Sequence, residues 1–180
     1  MKTLYTLIFT LLIISQVKSQ DKFISKTGYV SFFSHSLVED IKAENNQGLS
    51  IIDTKTGEIV IQLLMRSFIF KKALMQEHFN ENYIESDTYP KATFKGKILN
   101  YDQLVNEDSE AEIIGTLFVH GKEKEIKIKV KIHKDSDEII ISGDFMVQVA
   151  DFDIRIPTIV VNNIAKIVNV SFEFHHKPYN

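Results

Sequence analysis

Lys124-Glu125-Ile126-Lys127-Ile128-Lys129-Val130-Lys131-Ile132-His133 decides the fold class of this chain. Ile126, Ile128, Val130 and Ile132 fall on one side of an extended backbone. Glu125, Lys127, Lys129, Lys131 and His133 fall on the other. A period of two sends alternate side chains to opposite faces, so this is a strand with one face for a core and one for water.

The same design extends in both directions. Glu112 to His120 is rich in Ile, Leu, Phe and Val, and Gly121-Lys122-Glu123 reads as the turn that joins it to the lysine-rich strand. Asp135-Ser136-Asp137 is a second turn. Beyond it, Glu138 to Val149 sets Ile139, Ile141, Phe145, Val147 and Val149 on one face, with Gly143 marking a bend. The last strand spans Ile164 to His175, with Val168, Val170, Phe172 and Phe174 facing in. Upstream, Tyr29 to Phe33 is a first strand. Leu49 to Asp53 and Glu58 to Met65 form a hairpin around Thr54-Lys55-Thr56-Gly57. Lys91 to Leu99 alternates Ala92, Phe94, Gly96 and Ile98 against lysines and a threonine. Two stretches break the pattern. Ser36 to Ala43 reads as a turn or two of helix, with Ser36 as cap and Glu39 three residues on. Lys71 to Phe79 has helical spacing, with Leu74 and His78 four apart.

About eight strands, most of them wet on one side, and one or two short helices make a mostly β chain. A single antiparallel β-barrel fits, because closure removes the edges that otherwise aggregate. A two-sheet sandwich is the alternative.

The 180 residues suit one domain with its own core. There is no cysteine, which removes disulfides, thiolate nucleophiles and Cys-type zinc sites together. Residues 1–19 read as a signal peptide. Lys2 is followed by an apolar-leaning run from Leu4 to Ile14, and polar or short residues lead to Ser19, after which cleavage is expected. The run is shorter than the ~20 apolar residues needed to cross a bilayer, so no stable membrane anchor is expected. The expected mature domain is 20–180, periplasmic or secreted. Loss of Lys2 and Lys18 moves the formal charge from -3 to -5. An acidic exported chain is a poor match to nucleic acid, whose affinity comes mainly from phosphate neutralisation. Nothing in the sequence separates a monomer from a homodimer.

No catalytic constellation stands out. Ser34-His35-Ser36 is a polar stretch after a strand, and neither a Gly-x-Ser-x-Gly turn nor a phosphate-cradling glycine loop occurs. His35, His78, His120, His133, His175 and His176 lack zinc-like spacing, and the adjacent pair His175-His176 points to opposite faces of a strand, so no metal or other cofactor is expected. Glu107-Asp108-Ser109-Glu110 reads as a solvated loop. Lys127, Lys129 and Lys131, with Lys91, Lys95 and Lys97, read as a solubilising outer face rather than a patch for anionic head groups, given the acidic total.

Thirteen phenylalanines and no tryptophan imply a large, soft apolar interior. By itself this fits an ordinary filled core. An empty pocket of about 300 Å³, at about 24 cal/mol per Å³, would cost roughly 7 kcal/mol, as much as a typical domain's whole stability. The barrel should therefore be packed shut or occupied.

Several segments together resemble one family. Phe70-Lys71-Lys72-Ala73-Leu74-Met75-Gln76-Glu77-His78-Phe79 leads to Tyr89-Pro90-Lys91-Ala92-Thr93-Phe94. Gly115-Thr116-Leu117, His120-Gly121, Gly143-Asp144-Phe145 and Asp151-Phe152-Asp153-Ile154 follow. In this order the chain, from about Thr27 to Phe174, resembles the YceI-like, polyisoprenoid-binding proteins. The resemblance implies a lipocalin-like barrel that holds a long-chain apolar ligand, an isoprenoid or another lipid; with inward Phe and Ile outweighing any convergent set of His, Asp or Ser, no enzymatic activity is expected. It implies that Phe79, Phe94, Leu117 and Phe145 belong to the ligand-binding wall. The hairpin turn departs from the family, having Gly121-Lys122-Glu123 where many members have Gly-Val-Thr. Two further readings stay open. One is a stress-response or interaction scaffold with a packed core. The other is an enzyme acting on an apolar substrate, which would need a buried carboxylate–histidine pair at the pocket.

Overall fold

The computed structural model describes residues 21–35, 39–104, 108–135, 137–156 and 166–179. Alternating sequence becomes alternating burial along most strands. These are β1 (Lys22–Ser34), β2 (Ile41–Asp53), β3 (Glu58–Leu64), β4 (Ile69–Phe70), β5 (Lys91–Ile98), β6 (Asp108–Val119), β7 (Lys122–Lys134), β8 (Ile139–Gln148) and β9 (Ile167–Pro178). The sheet runs β1-β9-β8-β7-β6-β5-β3-β2 and closes by pairing β2 with β1. Every pairing is antiparallel. The result is a closed eight-stranded barrel, and the two-residue β4 is an extra strand beside β2. The one short α-helix among the described residues, α1 (Ala73–His78), continues into a π-helical turn, Phe79–Tyr83.

The reading of Ser36–Ala43 as helix is overturned. Residues 41–43 begin β2, where Ala43 pairs with Phe32 on β1 and with Phe70 on β4, and residues 36–38 lie outside the described ones. The 42–48 stretch looks unlike a strand because its inward positions are Ala43, Asn45 and Gly48, all fully or nearly fully buried without being large and apolar. Asn45 replaces missing ladder bonds. Its amide donates to the Leu64 carbonyl at 3.1 Å, and its side-chain oxygen accepts from the Gln47 N–H at 2.8 Å. This satisfies backbone groups where β3 leaves β2 and where the β1–β2 register slips.

Three smaller expectations also change. The β6–β7 hairpin turns at His120-Gly121, both at positive φ (49° and 73°), rather than at Gly121-Lys122-Glu123. This two-residue turn matches the twist of the strands. Asp108, Ser109 and Glu110 begin β6 rather than forming a loop. There they face His133, Ile132 and Lys131 of β7, and the next acid, Glu112, reaches Lys127 at 2.7 Å. The lysine face is thus balanced by its neighbouring strand. Gly143 is the last β8 residue paired with β7, opposite Val130; beyond it β8 follows β9 alone. The expected signal segment, residues 1–19, lies outside the described residues.

One end of the barrel, where β2 turns into β3, is solid. Ile52, Ile59, Ile98, Ile132, Ile139, Ile141 and Phe174 are each at most 1% exposed. His176 is buried with them, its Nδ1–H donating to the Ile139 carbonyl at 3.0 Å and its Nε2 accepting from the Ser50 hydroxyl at 2.8 Å. His175, next in sequence, faces water beside Glu173 and Glu138, as alternation requires. Burial pushes the His176 pKa down to about 4. The unfolded chain would take up a proton near pH 6.5, so the folded state's advantage is full above that pH and is lost as pH falls toward 4. The loss should be about 3 kcal/mol. Urea unfolding at pH 7.5 and 4.5 should show a larger drop for wild type than for His176→Gln, and equal drops would contradict this account.

Candidate functional site

The other end of the barrel is hollow. Inward residues there leave a cavity of about 500 Å³ that reaches the surface. Its wall comes from nearly every strand, including Val30 and Phe32 of β1, Phe94 of β5, Ile113 and Leu117 of β6, Ile128 of β7, Phe145 and Val147 of β8, and Val168 to Phe174 of β9. An unfilled volume of this size would cost on the order of 10 kcal/mol on the scale set by truncated core side chains. The cavity is too large to be a packing fault in a stable domain.

The floor is Phe174. Its ring lies across Gly28 on β1 and Gly48 on β2, which face each other in the ladder. A Cβ on Gly28 would sit 2.0 Å from the ring, so the two strands can carry no side chain there. Phe172 stands above Phe174, with centroids 6.1 Å apart, and Phe145 stands beside Phe172 at 6.2 Å.

At the mouth, Phe79 is held among Phe32, Phe68 and Phe70, with ring centroids 5.0–5.9 Å away. This explains a helix that is weak by itself. α1 has six residues, no side-chain cap and no buried residue, too little for independent helicity. It is tied down by the Phe79 ring in the turn that follows, by Gln76 accepting from the Phe70 N–H at 3.3 Å, and by an ion pair between Lys72 and Glu39. Leu74 is 60% exposed and yet borders the cavity, as expected of a residue on its rim.

All four candidate wall residues named from the sequence face this cavity. Phe94 and Leu117 are adjacent across β5 and β6, both buried. The Phe94 ring covers the paired glycines Gly96 and Gly115, and a Cβ on either would approach it to 2.7 Å. Phe145 lines the wall by β9, and Phe79 sits at the mouth. Sequence reasoning missed Phe32, Phe68 and Phe70. The density of phenylalanine from Phe68 to Phe79 was the available signal.

The polar side chains bordering the cavity among the described residues are Ser34, Glu39, His78 and Tyr83. Glu39 and His78 are exposed at the rim, and Glu77 beside His78 is not part of the wall. Among the described residues no buried carboxylate–histidine pair borders the pocket, and no group of three His, Cys, Asp or Glu is placed to share a metal. His176 and Ser50 hydrogen-bond to each other below the floor and do not reach the cavity. No helix of the described residues is long and apolar enough to cross a membrane.

Solved structures share this architecture. A polyisoprenoid-binding domain from Saccharophagus degradans, implicated in plant cell wall breakdown, aligns over 88% of this chain and 99% of its own, at TM-score 0.76 and 16% identity. BcnA of Burkholderia cenocepacia aligns over 82% and 95%, at TM-score 0.70 and 17% identity. A YceI protein of Campylobacter jejuni aligns over 81% and 90%, at TM-score 0.63 and 18% identity. At such identities these similarities establish the fold alone. No curated protein matches the chain by sequence. The model of the YceI-like domain matches residues 16–176, nearly the whole chain, and this chain therefore belongs to the YceI-like family.

Proposed function

We propose that this protein is an exported carrier that holds the tail of a lipid inside its barrel and performs no catalysis. The observation that carries the reading is the 500 Å³ apolar cavity, open at one end and floored by a packed core at the other. Apolar walls gain about 25 cal/mol for each Å² taken out of water, so an apolar chain entering the cavity is the occupant that stabilises it most. The polyisoprenoid-binding domain of Saccharophagus degradans has the same fold and supports an apolar chain as cargo. The four wall residues Phe79, Phe94, Leu117 and Phe145 would contact the tail. A scaffold with a packed core is disfavoured by the hollow half of the barrel.

The test uses the full chain expressed in a bacterial host and purified from the periplasm. Native mass spectrometry should find a bound apolar molecule, organic extraction should release it, and the N-terminus should begin at Gln20 or within a residue or two. If the protein carries no lipid and added isoprenoids leave its Tm unchanged, the scaffold reading replaces the carrier. Recovery of intact Met1 from the membrane fraction would overturn the export.

A further inference from the structure

We infer that the cavity takes a single apolar tail of about 15–20 carbons with an uncharged head, and that it excludes long polyprenyl chains and prenyl diphosphates. This rests on the carrier reading and narrows its ligand.

Two dimensions of the cavity agree on the tail. The first is volume. A methylene fills about as much space as a water molecule, ~30 Å³, so 500 Å³ accommodates roughly 17 carbons. The second is depth. On β9 the wall runs from Val168 at the mouth to Phe174 at the floor, and on β6 from Val119 to Ile113. At ~3.3 Å per residue each path is about 20 Å along the strand, or about 15 Å along the axis for a tilt near 40°. An extended carbon chain advances roughly 1.2 Å per bond, as an extended backbone does. One isoprene unit contributes four bonds to the chain and so spans about 5 Å. The path from mouth to floor thus holds three to four units, again 15–20 carbons. Below Phe174 there is no room to continue, because the ring is 1% exposed, Ile141 stands opposite it on β8, and the next inward pair, Ile139 and His176, is fully buried.

The rim decides the head. Among the described residues that border the cavity none is a lysine or arginine. Among those described residues the one Asp, Glu, Lys or Arg is Glu39, and the nearby Lys72 is engaged with it. A diphosphate would bring its negative charge to a rim whose described residues include a carboxylate and no lysine or arginine. A hydroxyl or carbonyl head needs only hydrogen-bonding partners, which Ser34, Tyr83 and His78 supply by residue type.

The experiment titrates wild-type protein, stripped of endogenous lipid, with geraniol, farnesol, geranylgeraniol, solanesol and geranylgeranyl diphosphate, read by native mass spectrometry and thermal shift. These span 10, 15, 20 and 45 carbons, with the diphosphate matched in tail to the third. Affinity should rise from geraniol to farnesol or geranylgeraniol and fall at least tenfold for solanesol. The diphosphate should bind at least tenfold more weakly than geranylgeraniol. Solanesol binding as tightly as geranylgeraniol overturns the length limit and leaves the carrier reading intact. A diphosphate that binds as tightly as its alcohol overturns the uncharged head. Binding of none of the five, with no lipid in the protein as purified, removes the carrier reading and this inference together.

Discussion

Phe94→Glu should empty the barrel. The Phe94 side chain is 5% exposed, borders the cavity and covers Gly96 and Gly115, so a carboxylate in its place would lie against an apolar wall whose described residues include no lysine or arginine. An unpaired buried charge costs several kcal/mol or becomes protonated. The expected outcome is at least a tenfold fall in lipid recovered by organic extraction, with a loss of about 3–4 kcal/mol in stability because the ring's packing also disappears. Such a change could reflect misfolding alone, and two companions separate the causes. Phe94→Leu keeps the wall apolar, should cost less than about 1.5 kcal/mol, and should weaken retention modestly. Lys95→Ala sits on the exposed face of the same strand and should change neither lipid content nor Tm. Full retention of lipid by a folded Phe94→Glu protein would place the ligand elsewhere.

Gly28→Ala should be strongly destabilising for the addition of a single methyl group. The glycine does not have a positive φ, so backbone strain is not the reason. The new Cβ would stand 2.0 Å from Phe174 Cδ1 and 2.2 Å from Cε1, and that ring is held under Phe172 with almost no exposure. Overpacking of this kind typically costs 1–3 kcal/mol, and a contact so short should reach about 3 kcal/mol in urea unfolding. The assignment to Phe174 is tested by a double-mutant cycle. Phe174→Leu alone should cost about 1–2 kcal/mol through the lost ring. The double variant should be less destabilised than the sum of the two, because the leucine yields the space the alanine needs. Strict additivity would mean that the ring is not what Gly28 accommodates.

The parts that were hidden in the sequence share a physical cause. β1 was legible only over Tyr29–Phe33, although it spans Lys22–Ser34, because its inward phase slips between Ser25 and Gly28. The start of β2, Ile41–Ala43, was misread as helix, and only Leu49–Asp53 was read as strand, for the same reason. Its inward residues are small or polar, and their partners come from Leu64 and Phe70, distant in sequence. Alternation detects a strand only where the register is unbroken and the inward side chains are large and apolar. Bulges and glycine crossings break it while serving the barrel, since they let the wall curve and let Phe174 lie flat as a floor.

The site divides along a similar line. Period two in β5 and β8 was enough to aim Phe94 and Phe145 inward, and the family resemblance added Phe79 and Leu117. Alternation along one strand says which way a side chain points, and it needs no knowledge of the other strands. Whether inward side chains meet across the barrel or leave a hollow depends on strand number, tilt and the bulk arriving from the opposite wall. Those quantities are set jointly by all eight strands. Lys124–His133 therefore determined, by its own pattern, that the chain builds half-buried antiparallel strands and buries its apolar faces. Only the closed barrel decided that one end packs solid around Phe174 and His176 and the other stays open, because packing density is a property of residues brought together from across the chain.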